Sequence, residues 1–351
     1  MADMEGDLDL DEICKGRDAA MKIAAITMVY NEALILPYFF RHYEYLDEIH
    51  VLYETDSTDD TLKILNQTPN AVIKKCHIKD GFDDIDKVAL INDTLRGIKA
   101  DWVYVVDSDE FIFPPNESPS DFLSRQNYDV VRAAMFRVFR HRTDNDLDPS
   151  LPPVPQRFHG MPDVFSADNA KNVKPIVVKP SSKIRFLPGN HAIKGNIIFS
   201  PEFYLGAHWQ LADPSIAVAR KMQCRVRMSE RNKALGMSFH NHNVTEEGIR
   251  AECDGYLDSP IIEALRPVNN TSPAEMAALS NKSFVPESVM VELRNQLKDK
   301  EKQIIDANID ITGSINWRII KLFHKKIDTI LPLGTKRRQF VKSMFLSLRR
   351  S

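Results

Sequence analysis

From Lys22 to Tyr30 the chain reads KIAAITMVY, a nearly unbroken apolar run rich in β-formers. A strand covered on both faces has this character. A helical stretch follows at about Leu36–Leu46, with Pro37 in its first turn, where proline is tolerated. EIHVLYE (Glu48–Glu54) is a second strand. STDDTLKIL then opens a helix that Ser57 or Thr58 can cap, with Asp59 and Asp60 at its positive end. AVIKKCHI is a third strand. Ile85, Val88, Ile91, Leu95 and Ile98 recur at helical spacing, and WVYVV, starting at Trp102, is a fourth strand. This alternation predicts an α/β fold with a parallel, doubly wound sheet, whose ligands bind at the carboxyl ends of the strands.

After Pro115 the pattern changes. YDVVRAAMFRVFRH (Tyr128–His141) reads as one strand or two, and 144–163 is a loop rich in Pro and Asp. VKPIVVKP, KIRFLP, HAIKGNIIF and YLGAHW are short β-like pieces that complete the sheet. A helix capped by Asp213, with Pro214 at its first position, comes next. Met290, Leu293, Leu297, Ile304, Ala307 and Ile311 fit a heptad seam within 287–312, a candidate oligomer contact. The domains expected are an acidic lead over 1–20, a body over 21–283, and a C-terminal helical extension over 284–351.

The 351 residues carry a net charge of −3, so charge gives no indication of nucleic acid as a partner. The ends differ sharply. Seven acids face two bases in 1–20, and ten Lys or Arg face one acid, Asp328, in 314–351. The basic end mixes bulky apolar residues with cations and is a candidate for peripheral contact with an anionic membrane. There is no apolar leader and no run long enough to span a bilayer, and Cys14, Cys76, Cys224 and Cys253 form no CxxC pair. A cytoplasmic protein with reduced thiols, with the inner membrane face as a candidate location, is the expectation.

Candidate chemistry gathers where the strands end. Asn31-Glu32 follows the first strand, Glu54-Thr55-Asp56 the second, and Asp107-Ser108-Asp109-Glu110 the fourth. Asp107 and Asp109 flank one residue, so on a turn both can reach one ion. Carboxylates crowded at a half-dry edge repel, and a hard dication such as Mg²⁺ or Mn²⁺ would compensate them while bridging to a phosphate. Elsewhere, His240 and His242 in FHNHN would share one face of a strand, a pair too sparse for zinc.

The run AAITMVYNEALILPYFFRHYEYLDEIHVLYETDSTDDTLKIL, followed by VYVVDSDEF, resembles a bacterial glycosyltransferase of the family-2-like group with the GT-A fold. The likeness covers about residues 22–115 and extends more weakly, through GNHAIKG and HWQLADPSIAVARK, to about 222. It implies a nucleotide-diphosphate sugar donor, Mn²⁺ or Mg²⁺ on the DxD motif, and transfer to a saccharide or glycolipid hydroxyl with inversion, in surface polysaccharide or glycoconjugate synthesis. By that likeness Tyr30, Asn31 and Glu32 lie against the base and ribose, and Glu54 stands where the family commonly has a base-binding Asp. Lys87 would face the diphosphate, Asp107 and Asp109 would hold the metal with Glu110 behind them, and His208 would be a third metal ligand. His191, in a tight turn, and Asp163 are the candidates for the base that takes the acceptor proton. Two other functions fit parts of the pattern. VVDSDEF also resembles the haloacid-dehalogenase-like phosphatases, with Asp107 as nucleophile, although that motif normally follows a first strand. A sugar-nucleotide-binding scaffold without catalysis is the other.

Overall fold

The computed structural model of the chain describes residues 21–114, 117–163, 173–180, 184–262 and 265. All the described residues belong to one compact unit, which ends at Glu292. The acidic lead, the heptad segment and the basic C-terminal stretch all lie outside the described residues. No described helix is long and apolar enough to cross a membrane.

The alternation predicted for the first half is present, with shorter helices. Strand β1 (Ile23–Val29), helix α1 (Leu36–His42), β2 (Glu48–Glu54), α2 (Thr61–Gln67), β3 (Ala71–Cys76), α3 (Asp84–Gly97) and β4 (Trp102–Val105) follow one another. The four strands run parallel in the order β3-β2-β1-β4. One detail differs from the expected capping. Helix α2 starts at Thr61, and neither Ser57 nor Thr58 caps it. The Ser57 hydroxyl instead donates to the Glu54 carbonyl at 2.9 Å, which keeps the exit of β2 tight. Helix α3 is capped by Asp83, whose carboxylate accepts from the amides of Ile85 and Asp86.

The second half adds β5 (Glu110–Phe113), α4 (Pro119–Ser124), β6 (Val130–Phe139), β7 (His159–Pro162), β8 (Val173–Val178), the short pair β9 (Arg185–Phe186) and β10 (Ile193–Lys194), and the long β11 (Phe199–Leu211). Helices α5 (Pro214–Arg227), α6 (Glu230–Leu235) and α7 (Glu246–Gly255) complete the described chain. β8 joins the parallel half antiparallel to β4 and also to β6. β11 lies parallel to β6 and antiparallel to β5. The close packing of β11 between those two depends on Gly206, where a Cβ would come within 2.3 Å of Met135 Sδ. His240 and His242 lie in a 3-10 turn (Phe239–Asn241) and the residues after it, so the strand expected there is absent.

Two apolar layers flank the parallel strands. Val88, Ile91, Leu95 and Ile98 on or just after α3 pack on Ala24, Ile26, Leu52, Val103 and Val105, which is the helical stripe read from the sequence. An aromatic layer fills another side: Phe39, Tyr43, Tyr104, Tyr204, Phe111 and Trp209 are all fully buried. Their polar atoms have defined tasks. The Tyr43 hydroxyl donates to the Glu110 carbonyl at 2.8 Å and accepts from the Ile112 amide at 3.0 Å. His42 Nε2 meets the Ile112 carbonyl at 3.0 Å. One helix end therefore pins the strand that follows the DxD turn.

Burial pushes the His42 pKa down to about 4, although the Ile112 carbonyl favours the cation. The unfolded chain takes up this proton near pH 6.5, the folded protein only near 4, so stability is lost as pH falls through that window. The His42→Gln variant keeps a donor for Ile112 and removes the titration. In urea denaturation, the stability change between pH 7 and 4 should be less favourable in wild type than in the variant by on the order of 3 kcal/mol.

Candidate active site

β1, β2 and β4 end on one edge of the sheet, and the chain leaving each turns into the same cleft. It encloses about 510 Å³, within the usual range for small-molecule sites. After β1, Asn31 adopts a left-handed conformation (φ 48°). Its side-chain carbonyl accepts from the Thr58 amide at 2.6 Å and the Asp59 amide at 3.3 Å, which ties the exit of β1 to that of β2. Tyr30 lies under the Arg227 guanidinium, 3.4 Å from the ring centroid. The same guanidinium pairs with Glu54. Gly81 makes this possible: at φ +85° its missing Cβ would fall 2.2 Å from the Arg227 carbonyl. The Phe82 amide donates to that carbonyl, and the Ser229 amide donates back to Phe82.

The carboxylates beyond β4 are compensated by the protein itself. Lys87 Nζ donates to Asp107 Oδ1 at 2.7 Å, and Lys174 Nζ lies 3.7 Å from Asp107 Oδ2. Burial opposes the charge on Asp107, but Lys87 and Lys174 outweigh it and hold the carboxyl far below its usual range. Lys174 is fully buried and gives its main contacts to Glu110, at 2.6 and 2.8 Å. Glu110 in turn accepts from the Asp107 amide at 3.1 Å, so this ion pair shapes the DxD turn. Arg220 bridges Glu32, the Ser108 hydroxyl at 2.7 Å and Asp109 Oδ1 at 3.0 Å. Burial pushes the Glu32 pKa up to about 7, even with Arg220 beside it.

His208 stands between two carboxylates. Its Nδ1 is 2.6 Å from Asp163 Oδ2 and its Nε2 is 3.3 Å from Asp109 Oδ2. Burial works against an imidazolium there, but Asp109 and Asp163 prevail and hold its pKa up at about 10. Asp163 is fully buried and also accepts from Arg137 at 3.0 Å. It therefore sits behind His208 and is not part of the cleft wall. His191 is on that wall, in the turn expected at Gly189 (φ 82°) and Asn190 (φ 56°). Burial, then the nearby Lys174, pushes its pKa down to about 3, so its imidazole is neutral.

Tyr30, Glu32, Glu54, Lys87, Asp107, Asp109, His191 and His208 thus line one cleft, while Asn31 and Asp163 support it from behind. The sequence reasoning passed over Lys174, Arg220 and Arg227. The two arginines had a signal. Arg220, Gln223, Cys224 and Arg227 recur at helical spacing on α5, and all four line the cleft. Lys174 had none, since a single cation in a β-like run reads as solvated.

No family model matches the chain, and no curated protein matches it. Among solved structures, a 1–349 fragment of S. aureus TarS is 14% identical over 82% of this chain and 92% of that one, with a TM-score of 0.33. A longer TarS structure is 17% identical over 67% of this chain, which spans 43% of its length, with a TM-score of 0.32. Glucosyl-3-phosphoglycerate synthase from Mycobacterium tuberculosis, in complex with Mn²⁺, uridine diphosphate and phosphoglyceric acid, is 16% identical over 33% of this chain and 43% of that one, with a TM-score of 0.24. At these identities and scores the likenesses do not assign the chain to a family.

The Lys174–Glu110 pair gives a direct test of the site's electrostatics. Lys174→Met leaves a buried carboxylate without its main partner and should cost about 3–5 kcal/mol in urea denaturation. Adding Glu110→Gln should restore most of that loss. A double variant as unstable as the single one would show that the pair is not the source.

Proposed function

We propose that the protein is a glycosyltransferase that moves a sugar from a nucleoside-diphosphate donor to an acceptor hydroxyl with inversion, served by Mn²⁺ or Mg²⁺ at the DxD carboxylates. One observation carries this: three strand ends deliver an aromatic ring, Glu54 and two separated aspartates, and helices α3 and α5 deliver the cations Lys87 and Arg220, to a single cleft. A base, a dication and a diphosphate would each find a partner of suitable chemistry there.

The residues fit a hard divalent ion. Asp109 Oδ2 and His208 Nε2 are 3.3 Å apart, close to the roughly 3 Å between neighbouring ligands on an ion bonded at about 2.1 Å. Asp109, Asp107 and a deprotonated His208 would hold it, Asp107 after turning from Lys87. The ion would neutralise the departing diphosphate. Tyr30 and Arg227 would clasp the base, with Glu54 holding Arg227 in place. Lys87 and Arg220, released from their carboxylates, would stabilise the charge that grows on the leaving oxygen. Asp163 would orient His208. His191 would accept the proton of the acceptor hydroxyl as a neutral imidazole, its basicity raised by the charge of the bound diphosphate.

Incubating the full chain with Mn²⁺ and UDP-, GDP- or dTDP-sugars should release the nucleoside diphosphate slowly from at least one donor. Asp109→Asn should lower that rate by about 10²-fold or more. Equal turnover in wild type and Asp109→Asn would refute the assignment. Once an acceptor is in hand, His191→Asn should reduce kcat for transfer by about 10²–10⁴-fold with donor affinity unchanged. An unaltered kcat removes His191 from the role.

A further inference from the structure

A second cluster of ligating side chains lies outside the cleft. Between β6 and β7 the chain runs from Arg140 to Phe158 with a single 3-10 turn, Val154–Gln156, as its regular structure. A loop of that length with little core of its own needs other ties. At its two ends stand His141 and His159, and near the first of them Asp144. One potential ligand atom from each of the three lies within 4.8 Å of the others. The two imidazoles are nearly parallel, at 14°, with centroids 4.0 Å apart.

The groups are held in place by one another and by Arg157 and Thr143. The His141 amide donates to Asp144 Oδ2 at 2.8 Å. Arg157 Nε lies 3.7 Å from that same oxygen, while Asp144 Oδ1 lies 3.7 Å from His159 Nδ1. Arg157 is positioned independently, since it donates to the carbonyls of Ala212 at 3.0 Å and Gln156 at 2.8 Å. The Thr143 hydroxyl stands 2.8 Å from His141 Nδ1 and fixes that ring. The Asp144 and His159 side chains are 5% and 8% exposed, so a ligand there would be largely shielded from water.

We propose that His141, Asp144 and His159 form a zinc site that staples the 140–158 loop to the start of β7. Two imidazoles and one carboxylate suit a borderline ion better than Mg²⁺ or Ca²⁺, which prefer all-oxygen shells. A tetrahedral Zn²⁺ bonded at about 2.0 Å sets its ligands roughly 3.4 Å apart. Groups already within 4.8 Å reach that spacing by side-chain rotation of about an ångström each. Water fills the fourth position. Arg157 holds the Asp144 oxygen turned away from His159 and partly neutralises the carboxylate, so affinity is expected to be modest beside that of a thiolate site.

The staple would act on a strand with two further attachments. The Gly160 amide donates to the Pro260 carbonyl at 2.9 Å, and the Ile262 amide donates to Phe158 at 2.7 Å. The other end of β7 runs straight into Asp163, the partner of His208.

Co²⁺ is the probe that separates this site from the cleft, because tetrahedral Co²⁺ absorbs visible light strongly and octahedral Co²⁺ weakly. The full chain carrying Asp109→Asn, stripped with chelator, should develop an intense visible band that saturates at one equivalent and is quenched by Zn²⁺. Zn²⁺ should also raise its Tm. Adding His141→Ala should abolish the band, and adding Thr143→Ala should weaken Co²⁺ affinity about tenfold or more. Asp144→Asn provides a second ligand variant if His141→Ala fails to fold, with folding checked by circular dichroism. Absence of the band from the parent protein, or an equal band and Tm shift in a folded ligand variant, overturns the proposal.

Discussion

Charge balance inside a half-buried cleft is the constraint on which this structure turns. Glu32, Asp107, Asp109, Glu110 and Asp163 crowd one end of the sheet, where repulsion and lost hydration would unfold the turn if nothing opposed them. Lys87, Lys174, Arg220, His208 and Arg137 oppose them, each within ion-pairing distance of at least one. The protein's own cations therefore supply compensation for which the sequence suggested a dication.

That arrangement depends on a rigid frame outside the cleft. The Asp107–Glu110 turn is braced at its exit by Tyr43 through the Glu110 carbonyl and the Ile112 amide. It is braced again by the Trp209 amide, which donates to the Asp109 carbonyl at 2.8 Å. Aromatic rings buried around these bonds exclude water from them, so the braces operate in a low-dielectric setting where they are strong. The polar site and the apolar core are thus one mechanical unit, joined at β5 and β11.

The first half of the fold was legible because each element there obeys a single period. β2 begins and ends at Glu48 and Glu54, as the alternation predicts, and α3 presents the apolar stripe expected of it. The second half was harder. YLGAHW (Tyr204–Trp209) is only six residues of a strand that starts at Phe199 and ends at Leu211, because polar and small residues such as Ser200, Glu202 and Gly206 interrupt a pattern that tertiary packing nevertheless keeps extended. FHNHN alternates like a strand, yet Ser238 at φ 48° and the 3-10 turn after it hold the segment otherwise. In the site, the carboxylates announced themselves by following buried strands. The cations did not, since a Lys or Arg partnered across more than sixty residues, as Lys174 is with Glu110, leaves no local trace.

β11 and α5 form nearly one continuous piece. His208 faces the DxD turn, Asp213 caps the helix, and Arg220 and Arg227 project into the cleft about two and four turns farther along. A helix advances about 100° per residue. One residue inserted or deleted in the short stretch between strand and helix would swing both arginines away from Glu32, Asp109 and Glu54 while leaving His208 where it is. Length variation among natural or engineered versions of this protein should therefore collect in the span before β7, and spare the five residues from Trp209 to Asp213.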